Sequence, residues 1–241
     1  MPPYKNIVIL TGAGISAESG LGTFRDKGGL WTKFDPYKLA TPEAFAEDPG
    51  RVNAFYNMRR AGVTDAEPNT AHHALARWEA AHRESGAGEF LLVTQNVDDL
   101  HERAGSRSLL HMHGELAKSR CAHCGDARPC SGDLLTSMIC DACGKPGGLR
   151  PHVVWFGEIP FGLGRVAEAL DACDLFVAIG TSGTVYPAAG FVQHVARLGR
   201  AHTVEINLEP SEGHSVFAER IYGSAGETLP RFVEQLTGPG V

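Results

Sequence analysis

Ile7-Val8-Ile9-Leu10-Thr11-Gly12-Ala13-Gly14-Ile15-Ser16-Ala17 is the stretch on which the fold turns. An apolar, mostly β-branched run stops at a glycine-rich turn and matches G-x-G-x-x-G/A placed behind a strand. Glycines there allow a tight turn and let backbone N–H groups and a helix N-terminus approach a pyrophosphate. The same pattern fits a plain strand-to-helix turn, so the neighbouring segments must decide. Leu91-Leu92-Val93 runs into Thr94-Gln95-Asn96, Phe176-Val177-Ala178-Ile179 into Gly180-Thr181-Ser182, and Thr203-Val204-Glu205-Ile206 into Asn207. Continuous apolar runs of this length are what strands buried on both faces show. Between them, residues 71–82 place Ala74, Leu75, Trp78 and Ala81 at helical spacing, and 165–172 and 229–236 read as further helices. Strand alternating with helix predicts an α/β fold with a parallel sheet.

Two segments interrupt the alternation. Residues 33–60 read as helical, with Pro42 and Pro49 as helix starts, and 120–148 are rich in Cys and Gly with little periodicity. Together they predict a second, smaller domain inserted into the first. The chain's 241 residues suffice to bury about 70% of the unfolded surface, enough for a large and a small domain. With 22 Lys and Arg against 28 Asp and Glu, the net charge of −6 argues against an electrostatic nucleic-acid footprint. The apolar runs are far shorter than the ~20 residues of a membrane span, and residues 1–6 lack signal-peptide character, so a cytoplasmic protein is expected.

Four of the six cysteines form two pairs, Cys121-x-x-Cys124 and Cys140-x-x-Cys143, with fifteen residues between them. This spacing is that of a two-knuckle zinc site. Four thiolates close the tetrahedron and leave no position for water, so such a zinc is structural and the chemistry must lie elsewhere. Gln95-Asn96-Val97-Asp98-Asp99 sits past a predicted strand end, where open α/β sheets bind ligands; Asp98 or Asp99 also suits a helix cap. In His111-Met112-His113-Gly114, a loop histidine beside polar groups is suited to general base work near neutral pH.

Taken in order, Gly12-Ala13-Gly14-Ile15-Ser16, Thr23-Phe24-Arg25, Gln95-Asn96-Val97-Asp98, His113-Gly114, the four cysteines, Val153-Val154-Trp155-Phe156-Gly157-Glu158, Gly180-Thr181-Ser182 and Asn207 resemble the sirtuins, NAD-dependent protein-lysine deacylases. The resemblance implies a Rossmann-type domain formed by 1–32, 71–114 and 153–241, and a small domain of 33–70 (helical module) and 115–152 (zinc module). It implies NAD as co-substrate, structural zinc, and nicotinamide, O-acyl-ADP-ribose and free lysine as products. His113 is then the catalytic base, with Asn96 and Asp98 at the nicotinamide end. Gly12, Ala13, Gly14, Phe24, Arg25 and Trp31 fall to the pyrophosphate and nicotinamide loop, and Gln95 to the ribose. Gly180, Thr181, Ser182, Asn207, Leu208, Glu209 and Ala225 fall to the adenosine half. Val154, Phe156, Gly157 and Glu158 have the look of an extended edge that pairs with a substrate peptide.

Tyr56 and Arg59 stand three residues apart on one predicted helix face. The Tyr-x-x-Arg pair resembles that of the sirtuin class preferring succinyl- and malonyl-lysine, and Ala40 resembles the small residue that widens its acyl pocket. A phenol and a guanidinium fork bind the distal carboxylate that acetyl lacks. Protein mono-ADP-ribosyl transfer on the same fold is the alternative activity. A monomer acting on acylated lysines of proteins, without membrane or nucleic-acid partners, is expected.

Overall fold

The computed structural model describes residues 4–23 and 34–238. Its larger sheet holds six parallel strands, β1 (Ile7–Thr11), β2 (Phe90–Thr94), β3 (Leu109–His111), β7 (Leu175–Ile179), β8 (His202–Asn207) and β9 (Glu219–Tyr222), in the order β3-β2-β1-β7-β8-β9. The first strand lies in the middle. The chain winds outward from it on one side, then returns to its other side at β7. That reversal opens a crevice beyond the carboxyl ends of β1 and β7, the place where doubly wound sheets bind ligands.

The apolar runs extend one or two residues beyond their sequence-predicted bounds, and β1, β2 and β7 are buried along their whole length. Helices cover both faces. Ile7, Ile9, Leu92, Val177 and Ile206 pack against Ala74, Leu75 and Trp78 of α3 (Thr70–Ser85) and Leu229 and Phe232 of α7 (Ala225–Thr237). Val8, Leu10, Leu91, Phe176 and Ala178 pack against α5 (Leu163–Ala172) and α6 (Phe191–Leu198).

The closing helix starts at Ala225, four residues before the predicted start, and carries Pro230 inside it. Proline breaks the bond to the carbonyl four residues back. That carbonyl, of Gly226, instead accepts the Thr70 hydroxyl at 2.7 Å, so α3 makes good the loss.

The two prolines expected to start helices do so. Thr41 and Asp48 cap α1 (Pro42–Glu47) and α2 (Pro49–Thr64), accepting the N–H groups of Ala44 and Arg51. Residues 120–148, without periodicity in sequence, are mostly turns and loops set between the strands of an antiparallel sheet of β4 (Gly114–Cys121), β5 (Ala127–Pro129) and β6 (Leu149–Val153). Three residues is too short a strand for β5 to leave a period-two pattern, and metal ligation replaces core burial there. Phe45, Val52, Phe55 and Tyr56 of the helices pack with Leu116 and Val153 of this sheet and with Trp155 just after it, so the helical and four-Cys modules share one small core.

Candidate active site

The glycine-rich turn leads into a seven-residue 3-10 helix, Ala13–Ser19. The N–H groups of Gly12 and Gly14 donate to the carbonyls of Ile179 and Gly180, at 3.0 and 2.9 Å, and are not free for a phosphate. What the glycines supply is closeness. A Cβ on Gly12 or Gly14 would stand 2.7 Å from Gly180 backbone atoms, and one on Gly180, at φ +61°, would stand 2.5 Å from the Ile15 nitrogen. The loops after β1 and β7 therefore interlock at the crevice. Asn207 braces the same edge: its Nδ2 donates to the Thr181 carbonyl at 2.8 Å and its Oδ1 accepts the Leu208 N–H at 3.0 Å. Ser182 shares a hydroxyl bond with Thr184, Leu208 and Glu209 lie exposed, and Ala225 opens α7 half-buried. These residues border the far half of the crevice. Phe24, Arg25 and Trp31 lie outside the described residues.

Beneath the near half lies a buried polar cluster. Asn96 Nδ2 donates to the Gly12 carbonyl and to Ser16 Oγ, both at 3.1 Å, and Ser16 spends its proton on Asp98 Oδ2 at 3.2 Å. Burial pushes the Asp98 carboxyl up, against the pull of the Leu100 N–H and the Ser16 hydroxyl. Below, Thr11 Oγ1 donates to Thr94 Oγ1 at 2.8 Å and meets His101 Nε2 at 3.0 Å. His72 Nδ1 accepts the Asn69 N–H in the capping box of α3, so a neutral His72 carries its proton on Nε2, 3.4 Å from Ser16 Oγ. Burial drops its pKa to about 4. Sequence reasoning had no means to separate His72 and His101 from the other histidines, eleven in all. Only the packing of α3 and α4 (Leu100–Ala104) behind the crevice brings their rings within 4.9 Å of each other.

His113 follows β3. A carbonyl only accepts, so its Nδ1–H donates to Gln95 O at 3.1 Å and Nε2 is left as the basic nitrogen. Burial lowers its pKa despite that bond, which keeps the ring neutral and ready to take a proton. Gly114, at φ +82°, is required because a Cβ would run into the His152 carbonyl of β6. Gln95, Asn96, Asp98 and His113 are thus brought together at the carboxyl end of β2.

On α2, Tyr56 is buried and its Oη accepts the indole N–H of Trp155 at 3.0 Å. Burial raises the phenol pKa to about 12. Arg59 is half-buried. Burial lowers its pKa, against the opposing pull of the neighbouring Tyr56 and Asp98. Ala40 is buried, and its carbonyl accepts the Phe156 N–H at 2.9 Å.

Residues 154–158 are not the extended edge expected. After β6 the chain turns at Phe156 and Gly157, the latter at φ +88°. The N–H groups of Val154, Trp155 and Phe156 go to His113 O, Glu158 Oε2 and Ala40 O. Glu158 is engaged by Arg150 through both oxygens, at 2.7 and 2.9 Å, and Arg150 lies 3.2 Å above the Trp155 ring. The carboxylate is committed to the protein, because a nearly buried guanidinium needs a counter-charge.

Cys121 and Cys143 sulfurs are 3.8 Å apart, Cys124 and Cys140 3.7 Å, and all four lie within 4.8 Å of one another. A tetrahedron with Zn–S near 2.3 Å has edges of about 3.8 Å, so the set fits zinc. Gly125 and Gly144, both at positive φ, close the two knuckles by donating to Cys121 O and Cys140 O.

Comparison with known proteins agrees with this arrangement. The model of the Sir2 family matches residues 12–187. The chain is 57% identical over 236 residues to a Caulobacter vibrioides protein named NAD-dependent protein deacylase, covering 98% of each chain. It is 53% identical to one of that name from Escherichia coli, covering 95% of this chain and 81% of that one. Among solved structures, a Sir2 homolog–NAD complex superposes with a TM-score of 0.86 at 39% identity, over 97% of this chain and 90% of the other. A family model that spans residues 12–187 and relatives more than half identical over nearly the whole of this chain place this protein in the Sir2 family.

Proposed function

We propose that this chain is an NAD-dependent protein-lysine deacylase that favours succinyl- and malonyl-lysine and also accepts acetyl-lysine, yielding nicotinamide, O-acyl-ADP-ribose and free lysine. The observation that carries the reading is His113, neutral and with its Nδ1–H held by the Gln95 carbonyl, which leaves Nε2 as the basic nitrogen at the loop that carries Asn96 and Asp98. The name of the relatives, NAD-dependent protein deacylase, supports it, and no observation favours ADP-ribosyl transfer to protein instead.

When bound, NAD would supply a ribose carbon to which the acyl oxygen bonds as the bond to nicotinamide breaks and nicotinamide leaves. Asn96 and Asp98, fixed through Ser16, orient the nicotinamide end, and Gln95 borders the ribose. His113 takes the proton of a ribose hydroxyl. Gly12, Ala13 and Gly14 shape the pyrophosphate turn, and Gly180, Thr181, Ser182, Asn207, Leu208, Glu209 and Ala225 border the adenosine. Phe24, Arg25 and Trp31 are assigned by resemblance alone. A substrate peptide adding itself at residues 154–157 meets the carbonyl of Val154 and the backbone of Gly157, since the N–H donors of 154–156 are spent. Ala40, Tyr56 and Arg59 form the acyl end, where phenol and guanidinium meet the distal carboxylate. The domain division is 1–32, 71–114 and 153–241 against 33–70 and 115–152. Free thiols at the zinc site suit a reducing compartment such as the cytoplasm. Among the described residues no helix is long and apolar enough to cross a membrane.

The test compares kcat/KM on matched succinyl-, malonyl- and acetyl-lysine peptides for the wild type and Arg59→Met. A charge-assisted contact is worth ~1.5–3 kcal/mol, so the acidic acyl groups should lead by tenfold or more and Arg59→Met should erase that lead while deacetylation persists. Equal rates on all three, unchanged in the variant, would refute the preference.

A further inference from the structure

His111 stands two residues before the catalytic base, at the end of β3 and opposite Thr94 of β2 in the sheet register. Its side chain is 8% exposed, and each ring nitrogen faces a group that only accepts: Nδ1 the Asn96 carbonyl at 3.1 Å, Nε2 the Glu102 carboxylate at 2.6 Å. A neutral imidazole has one donor. Both contacts are satisfied only when both nitrogens carry protons. His113 holds the preceding carbonyl, Gln95 O, with a single nitrogen. The two histidines therefore clamp consecutive peptide units of the loop that carries Asn96 and Asp98, one as a cation and one as a neutral base.

We propose that His111 is a positioning residue for the deacylation reaction: as an imidazolium it ties the Asn96 carbonyl to Glu102 on α4, holding Asn96 and Asp98 in the orientation the nicotinamide end requires. The proposal rests on the functional reading above. The groups facing the ring are Glu102 and His101 from α4, Glu115 from β4 and Asp98 from the loop after β2. Glu115 is itself held by Lys118 at 2.7 Å. Burial disfavours the charged ring, but the bond to Glu102, its charge, the Asn96 carbonyl and Glu115 outweigh it, and the pKa is raised above 6.5. The charge in turn helps to keep Asp98 ionised against its burial. Glu102, His111 and Glu115 are close enough to ligate a cation. The direct Nε2–Oε1 bond and the Lys118 ammonium already satisfy them without one.

The sign of the pH effect follows. The clamp is intact while His111 is charged and is lost as pH rises through its raised pKa, so it sets an alkaline limit on activity. The experiment uses the full chain in two arms. In the first, without substrate, the His111 ring signal is assigned by its loss in His111→Gln and titrated by proton–carbon NMR in the wild type and in Glu102→Gln. In the second, kcat/KM and nicotinamide release are followed from pH 6 to 10 in all three proteins. The ring should titrate above 6.5 in the wild type, and Glu102→Gln should lower its midpoint by about one unit and draw the alkaline limb down with it. Near pH 6 the Glu102→Gln protein should stay within about twofold of wild type, while His111→Gln should lose about tenfold and that limb as well. A midpoint at or below 6.5, or a midpoint that moves without the limb, would overturn the proposal. A wild type inactive on every acyl peptide would instead refute the deacylase reading and leave the NMR arm to stand by itself.

Discussion

Replacing Glu158 by Gln separates a structural role from a substrate-binding one at a residue where sequence resemblance pointed to substrate. Arg150 is 4% exposed along its side chain and Glu158 18%, and the pair is bidentate. Arg150 also donates to the Val153 carbonyl at 2.7 Å and lies over Trp155, whose indole N–H anchors Tyr56. Gln keeps the shape but accepts one of the two guanidinium bonds and removes the counter-charge. Breaking a fully buried pair costs ~3–5 kcal/mol, and partial solvent access to Glu158 reduces this to roughly 2–3 kcal/mol. For a chain of this size each kcal/mol moves Tm by about 2–4 °C, so Tm should fall by about 4–12 °C. The assay is calorimetry alongside steady-state kinetics with an acyl peptide. Burial works against the carboxylate, but Arg150 and the Trp155 N–H hold the Glu158 pKa below 4.5 overall. The stabilisation is therefore present above 4.5 and lost as pH falls through the depressed value, and the gap between wild type and variant should close in acid. A variant with unchanged Tm and a raised KM would refute the structural assignment and restore Glu158 to the substrate.

His113→Ala should still release nicotinamide but lose at least about a hundredfold in overall deacylation, the usual weight of a general base; quenched-flow separation of the two steps checks it. Gly180→Ala puts a Cβ at φ +61° against the Ile15 nitrogen and should cost about 2–5 kcal/mol in urea unfolding; a loss under about 1 kcal/mol would contradict the interlock. Stability should also fall in acid through His72: its pKa of about 4 lies below 6.5, so its contribution of about 3 kcal/mol is complete above 6.5 and lost on the way down to 4, and a His72→Asn variant should flatten that slope. Removing metal with a strong chelator, or Cys140→Ser, should release zinc and unfold the β4–β6 sheet by circular dichroism, since the four sulfurs meet nowhere else.

The sequence by itself determined the parallel sheet, because strands buried on both faces must be written as unbroken apolar runs such as 7–10 and 176–179. It determined the zinc knuckles, because ligand spacing is local, and the helix starts at Pro42 and Pro49. Resemblance in motif order carried the assignment of His113, Asn96 and Asp98. What only the tertiary structure decided depends on contacts between segments far apart in the chain. Gly12 and Gly14 serve an interlock with Gly180, not donation to phosphate, because their N–H groups meet a second loop. Glu158 is tied to Arg150, and the chain turns at Phe156 and Gly157 where the sequence suggested a strand edge. His72, His101 and His111 acquire partners from α3, α4 and the loop after β2, and their protonation follows from those partners. A histidine's charge is set by which acceptors and how much water surround it, and neither is written in its neighbours along the chain.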